Sequence, residues 1–210
     1  MKKVIIFLAV ILLSTLVIAQ DAPKVEVFGG YAYTNVDTKD LAGRQNFNGW
    51  DADVAFHATK NFSIVGDISG AYKSETIDTG IILAGTSQAG TVNPRVTPTI
   101  VDAKFRVYNY LFGPRVSASA GKLTPFAEAL FGLSHVTASV DVGGVSGSVG
   151  SNGFGMALGG GLDYNANHRV AIRLAKFDYM LNRISNSDLG LTQTTNLNNF
   201  RIATGIVFKF

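Results

Sequence analysis

Apart from its first two dozen residues, the chain alternates apolar and polar positions, and clusters of Gly, Asn, Asp, Ser and Thr separate the alternating stretches. A period of two sends successive side chains to opposite faces of a strand. The pattern predicts eight strands. The first covers 24–35, with Val25, Val27, Gly29, Tyr31 and Tyr33 on one face. The second, 47–57, sets Trp50, Ala52, Val54 and Phe56 against Asp51, Asp53 and His57. The third, 62–72, sets Phe62, Ile64, Ile68 and Tyr72 against Ser63, Asp67 and Ser69. The fourth and fifth, 104–118 and 124–136, place Tyr108, Tyr110, Phe112, Val116, Phe131 and Leu133 opposite Asn109, Arg115, Glu128 and Ser134. The sixth, 154–164, opposes Phe154, Met156, Leu158, Leu162 and Tyr164 to a glycine-rich face ending in Asp163. The seventh, 169–179, starts with Val170, Ile172 and Leu174 against Ala171, Arg173 and Ala175, and its phase blurs at Lys176–Tyr179, where a bulge is expected. The eighth, 199–210, alternates to an aromatic end.

The predicted connections also alternate. Those at 58–61, 119–123 and 165–168 are short, whereas 36–46, 73–103, 137–153 and 180–198 are long. Short turns on one rim and long polar loops on the other, with strands of about 9–11 residues, suit a barrel crossing a bilayer at a tilt. The expected fold is all-β, an eight-stranded antiparallel up-and-down transmembrane β-barrel. A soluble cup of the lipocalin type has the same alternation with its apolar face inside. The near absence of charge from one face, the poor lipid-binding lining offered by the other, and the terminal Phe210 favour the membrane barrel.

Residues 1–19 read as a secretory signal: Lys2 and Lys3 precede an apolar run, and Val17-Ile18-Ala19 offers a cleavage site. Residues 20–210 are then one barrel domain. Without Lys2 and Lys3, 16 of the 18 Lys+Arg remain against 15 Asp+Glu, so the mature chain is nearly neutral and nothing points to nucleic acid. The chain has no cysteine, which removes disulfides and lipoprotein attachment. After residue 19 no apolar stretch reaches the roughly 20 residues of a spanning helix.

Aromatic residues fall near both ends of the apolar faces. Tyr31, Tyr33, Trp50, Tyr72 and Tyr108 lie towards the long-loop rim, and Phe56, Phe62 and Tyr164 towards the short-turn rim. Two such belts are expected to be interfacial girdles.

The segments Tyr110-Leu111-Phe112-Gly113-Pro114-Arg115 and Thr124-Pro125-Phe126-Ala127-Glu128-Ala129-Leu130-Phe131-Gly132, with the end from Asn199-Phe200-Arg201 to Phe208-Lys209-Phe210, resemble the OmpA-type outer-membrane barrel family. The resemblance spans the mature chain. It implies an outer-membrane location, contact with membrane lipids and lipopolysaccharide, and a C-terminal signal at Phe208 and Phe210 read by the barrel-insertion machinery. Full-length OmpA-like proteins add a peptidoglycan-binding domain, whereas this sequence stops at the barrel.

The polar faces carry the readable chemistry. A lipid-facing charge at mid-depth costs about 2–4 kcal/mol, so the ionised residues belong inside, where they need partners. Counting outward from the short turns sets Arg115 opposite Glu128, Asp163 opposite Arg173, and Asp53 opposite Asp67; Glu26 lies near Lys209 where the last strand meets the first. Asp53 and Asp67 need a cation from elsewhere, and Arg115 is the candidate. This lumen network is either a permanent plug or a switchable gate for a narrow ion path. The function expected is structural or surface-interacting, by a monomer with at most weak conductance. A passive channel of the OmpW-like or small-porin kind is the alternative, and a lipid A-modifying enzyme is less favoured.

Catalysis and cofactors are not expected. Ser134 and His135 are adjacent and so face opposite sides, and three scattered histidines lack metal-ligand spacing. Arg44, Lys73, Lys104, Arg106 and Arg183 lie towards the long-loop rim, where lipopolysaccharide phosphates are within reach. Deleting Phe210 is expected to leave export intact and to impair insertion. Membrane fractionation combined with the heat-dependent gel shift of folded barrels checks this, and normal assembly would discard the terminal signal.

Overall fold

The computed structural model describes residues 24–37, 44–86, 92–142, 145–185 and 194–210. The signal segment 1–19 lies outside the described residues. Eight strands follow one another: β1 (Val25–Asp37), β2 (Arg44–His57), β3 (Phe62–Thr86), β4 (Val92–Ser117), β5 (Leu123–Val142), β6 (Val145–Asn165), β7 (Val170–Ser185) and β8 (Thr194–Lys209). Each pairs antiparallel with the next, and β8 closes on β1 through pairs such as Glu26↔Lys209 and Tyr31↔Thr204. Closure matters because a bilayer offers backbone groups no water, so a sheet that spans it can leave no open edge.

The period of two sets the sidedness. Leu158, Ile206 and Phe208 are 46, 47 and 49% exposed on the outer wall, while Arg173 and Glu128 are 0 and 5% exposed and face the axis. The outer face is not wholly apolar, since Thr204 shares it with Ile202 and Ile206 on β8. Nor is the lumen lined only by small and charged residues. Phe28, Leu111, Phe126, Leu130, Met180 and Val207 are buried in it. An eight-stranded bore is narrow enough for side chains to fill it, so large apolar groups occupy the levels that the ion pairs leave.

Two of the segments expected to be long loops are paired instead. β3 and β4 run on as a ladder from Lys73↔Phe105 to Thr86↔Val92, and β5 and β6 pair as far as Val142↔Val145. Segment 73–86 is polar enough to read as a loop, but its Thr and Ile residues favour extended backbone. Pairing the two limbs satisfies their N–H and C=O groups. The other two connections start later or end earlier than expected: β2 begins at Arg44, β7 runs to Ser185 and β8 begins at Thr194. Residues 38–43 and 186–193 lie outside the described set.

The blurred phase of the seventh strand is a β-bulge. Asp163 pairs with Arg173 while the preceding Leu162 pairs with Ala175, and on the other side the register shifts between Arg173 and Lys176. One extra residue at 174–175 reverses the facing parity of the strand. Ala171 and Arg173 point inward before the bulge; Lys176, Asp178, Met180 and Asn182 point inward after it.

The outward position of Leu158 has a measurable consequence. Leu158→Arg is expected to destabilise the barrel by about 2–4 kcal/mol in phospholipid vesicles, read from reversible denaturant unfolding. A cost near zero would contradict the assigned sidedness.

Candidate functional site in the barrel lumen

Four cations and six carboxylates fill the middle of the lumen. Arg115, Arg173, Lys176 and Arg201 meet Asp51, Asp53, Asp67, Glu128, Asp163 and Asp178, and all ten residues are buried. β4 and β5 bring Arg115 against Glu128, with Nε donating to Oε2 at 2.7 Å. The same guanidinium crosses the bore, and its Nη2 donates to Asp53 Oδ2 at 2.8 Å. On β7, Arg173 grips Asp163 of β6 with Nε and Nη2 at 2.9 and 3.1 Å, and its Nη1 reaches Asp53 at 2.6 Å. Two arginines from different walls therefore share one aspartate of β2.

Asp67 is served differently from expectation. Arg115 does not hold it. Arg201 donates to it twice, at 3.1 and 3.0 Å, and also donates to Asp51 at 2.9 Å and Asp178 at 2.8 Å. Lys176 lies at the centre. Its Nζ is 2.7 Å from Asp67, 3.1 Å from both Asp51 and Glu128, 3.6 Å from Asp53 and 3.9 Å from Asp178. It is the cation that bridges the facing pair Asp53↔Asp67. Nearer the short-turn rim, Lys209 contacts Glu26 at 3.0 Å and Asn165 at 2.9 Å, and His57 Nε2 lies 3.3 Å from Glu26.

Aromatic rings separate these levels. The Arg173 guanidinium lies over Phe28 at 4.2 Å and over Phe126 at 4.5 Å, and that of Arg115 lies 4.5 Å from the Phe126 centroid. Glycines on β6 make the space. A Cβ at Gly161 would strike the Phe126 ring, and one at Gly159 would strike Asp178 Oδ1. A vestibule of about 420 Å³ at the short-turn mouth, lined by Glu26, His57, Lys60 and Lys209, also touches Arg115, Phe126 and Asp163.

Asp51, Lys176, Asp178 and Arg201 complete the cluster and were not among the expected network. Asp51 shares the parity of Asp53, and Arg201 that of Lys209, so both were within reach of the pattern. Lys176 and Asp178 come inward only through the bulge.

The aromatic residues expected at the two rims face outward. Trp50 Nε1 donates to Tyr72 OH at 3.0 Å, and Tyr72 meets Tyr108 edge-on at 5.8 Å. Tyr31 donates to Asn48 at 2.6 Å, while Tyr33 and Phe62 are half-buried. Phe56, Tyr164, Phe208 and Phe210 are exposed towards the short-turn rim. Ser134 is buried in the lumen, whereas His135 faces outward against Asn152 at 2.6 Å and Thr137 at 3.1 Å. Among the described residues no group of three His, Cys, Asp or Glu is placed to hold a metal. Of the long-loop cations, Lys73 is tied to Glu75 at 2.6 Å and to Gln45, and Arg44 lies 5.1 Å over Phe200; Lys104, Arg106 and Arg183 are exposed.

A closed antiparallel barrel with an apolar wall and an ion-paired lumen defines an outer-membrane β-barrel. The chain belongs to the family described as outer membrane protein beta-barrel domain, which matches residues 5–210. Among solved structures it is similar to Ail, the attachment invasion locus protein of Yersinia pestis, with 15% identity, a TM-score of 0.58, and coverage of 90% of this chain and 100% of that one. It is also similar to Neisserial surface protein A, with 15% identity, a TM-score of 0.52, and coverage of 91% and 100%. No curated protein matches it in sequence. Its location is the outer membrane.

Removing one partner from a buried ion cluster strands the others, at about 3–5 kcal/mol. Lys176→Met is therefore expected to destabilise the barrel by that amount in denaturant unfolding in detergent micelles. A loss below about 1 kcal/mol, the size typical of surface pairs, would remove Lys176 from the centre of the network.

Proposed function

We propose that this barrel is a structural and surface-interacting protein whose lumen is closed by its charge network, with at most weak, gated conductance. The observation that carries this reading is the placement of Lys176: five carboxylates from four strands lie within 4 Å of its ammonium. A hydrated ion moving along the axis has to displace that ammonium or the arginines around it. Glu26, Asp53, Asp67, Arg115, Glu128, Asp163, Arg173 and Lys209 serve as the network in this reading, joined by Asp51, Lys176, Asp178 and Arg201. The hairpins β3–β4 and β5–β6 rise above the long-loop rim, where barrels carry recognition. They supply the surface for a partner outside the cell.

The same proposal covers the membrane contacts. The outward rings at Trp50, Tyr72 and Tyr108 and at Phe56, Phe62 and Tyr164 mark the two interfaces. Lys104, Arg106 and Arg183 face the phosphates of lipopolysaccharide. Phe208 and Phe210 present the terminal signal to the insertion machinery, and the barrel acts as a monomer. Ser134 and His135 lie on opposite sides of the β5 wall, so this pair does not form a catalytic dyad.

Conductance of the purified barrel in planar bilayers tests the reading. Rare, small openings are expected, and Lys176→Met is expected to raise the open probability. Steady, large openings of the unaltered protein would replace it with the passive-channel alternative.

A further inference from the structure

The short-turn rim carries a collar of cations that the lumen does not use. The turn at 58–61 contributes Lys60, the turn at 118–122 contributes Lys122, the turn at 166–169 contributes His168 and Arg169, and Lys24 precedes β1. All five are exposed. None of the three turns contains an acidic residue. The carboxylates nearest the rim, Glu26 and Asp163, are buried inside and already engaged by Lys209 and Arg173. Among the described residues the three turns therefore form a one-sign patch with no acidic side chain at their level.

Part of the collar lines a groove. An open depression of about 1360 Å³ runs along this rim, bounded by the cations Lys24, Lys122, Arg169 and Lys209 and by the apolar side chains of Phe208 and Phe210. Its floor is well fixed. Lys24 N–H donates to Phe210 O at 2.8 Å, Asn165 N–H donates to Lys122 O at 2.8 Å, and Asn167 Oδ1 accepts from the N–H groups of Arg169 and Val170 at 2.8 Å each. Gly121 turns the chain at φ 64°, a left-handed conformation suited to glycine, and so presents Lys122.

In barrels of this type the short turns face the periplasm, so the groove sits at the headgroup level of the inner leaflet. Cations beside outward phenylalanines match an anionic amphiphile: phosphate against the collar, acyl chains along the wall. We propose that this groove is a binding site for an anionic phospholipid of the periplasmic leaflet. The site goes beyond the lumen reading and stands whether or not the barrel conducts.

Native mass spectrometry of the mature barrel, released from detergent containing equal phosphatidylglycerol and phosphatidylcholine, tests it. One phosphatidylglycerol is expected to be retained in preference to phosphatidylcholine, with each cation contributing about five-fold near an anionic surface. Lys24→Gln, Lys122→Gln and Arg169→Gln together should abolish the preference. The heat-dependent gel shift checks folding, and Arg169→Gln alone, which should weaken the preference several-fold, serves if the triple variant fails to assemble. Equal retention of the two lipids, or an unaltered preference in a folded variant, overturns the proposal. Displacement of the lipid by millimolar inorganic phosphate also overturns it, by making the phosphate group alone the ligand.

Discussion

Inside an eight-stranded barrel the bore is about as wide as the side chains that fill it, so an ionised group there has to find its counter-charge on another wall. The rest of the molecule is arranged around that requirement. Outward positions are closed to charge by the bilayer, and inward positions have little water to solvate it. Arg115 and Arg173 meet that constraint by reaching Asp53 from β4 and β7, and Arg201 meets it by gathering Asp51, Asp67 and Asp178 from β2, β3 and β7. Apart from Arg201–Asp178, which spans the β7–β8 ladder, these contacts tie strands that share no backbone ladder. The sheet fixes the circumference, and the ion pairs brace the diameter.

The bulge on β7 is where the two systems meet. Without the phase reversal at 174–175, Lys176 and Asp178 would face acyl chains and Phe177 would face the lumen. With it, both ionised residues lie in the bore, and Gly159 on the neighbouring strand leaves room for the Asp178 carboxylate. The irregularity costs local ladder pairing and brings in the ammonium that four strands of carboxylates surround.

Much of this was legible in the sequence, and the boundary of legibility has a physical cause. Pairs that flank a short turn, such as Arg115 and Glu128 or Asp163 and Arg173, follow from counting outward along a regular ladder, because the turn fixes the register. Contacts across the bore do not follow in this way. Arg201 and Asp67 are 134 residues apart in sequence, and their meeting depends on closure, stagger and side-chain length together. Lys176 and Asp178 were hidden because strict alternation assigns them to the wrong face once a residue is inserted. The tall hairpins were hidden for a different reason. Above the membrane no face needs to be apolar, so the period of two fades while the backbone pairing continues.

The chemistry of the cations divides the lumen into stiff and soft parts. A guanidinium is a planar fork, and Arg173 and Arg201 each bind two or three carboxylates in fixed directions. Such groups cannot change partner without breaking several hydrogen bonds together. Lys176 is a rotatable point charge with three donors facing five carboxylates. It can shift among them while staying inside the same negative field, so the barrier to its movement is the smaller one. Glu128 lies on the border, shared between the guanidinium of Arg115 and the ammonium of Lys176. Within the proposed gate, the lysine side of Glu128 is the place where a partner can be exchanged without stripping a charge bare.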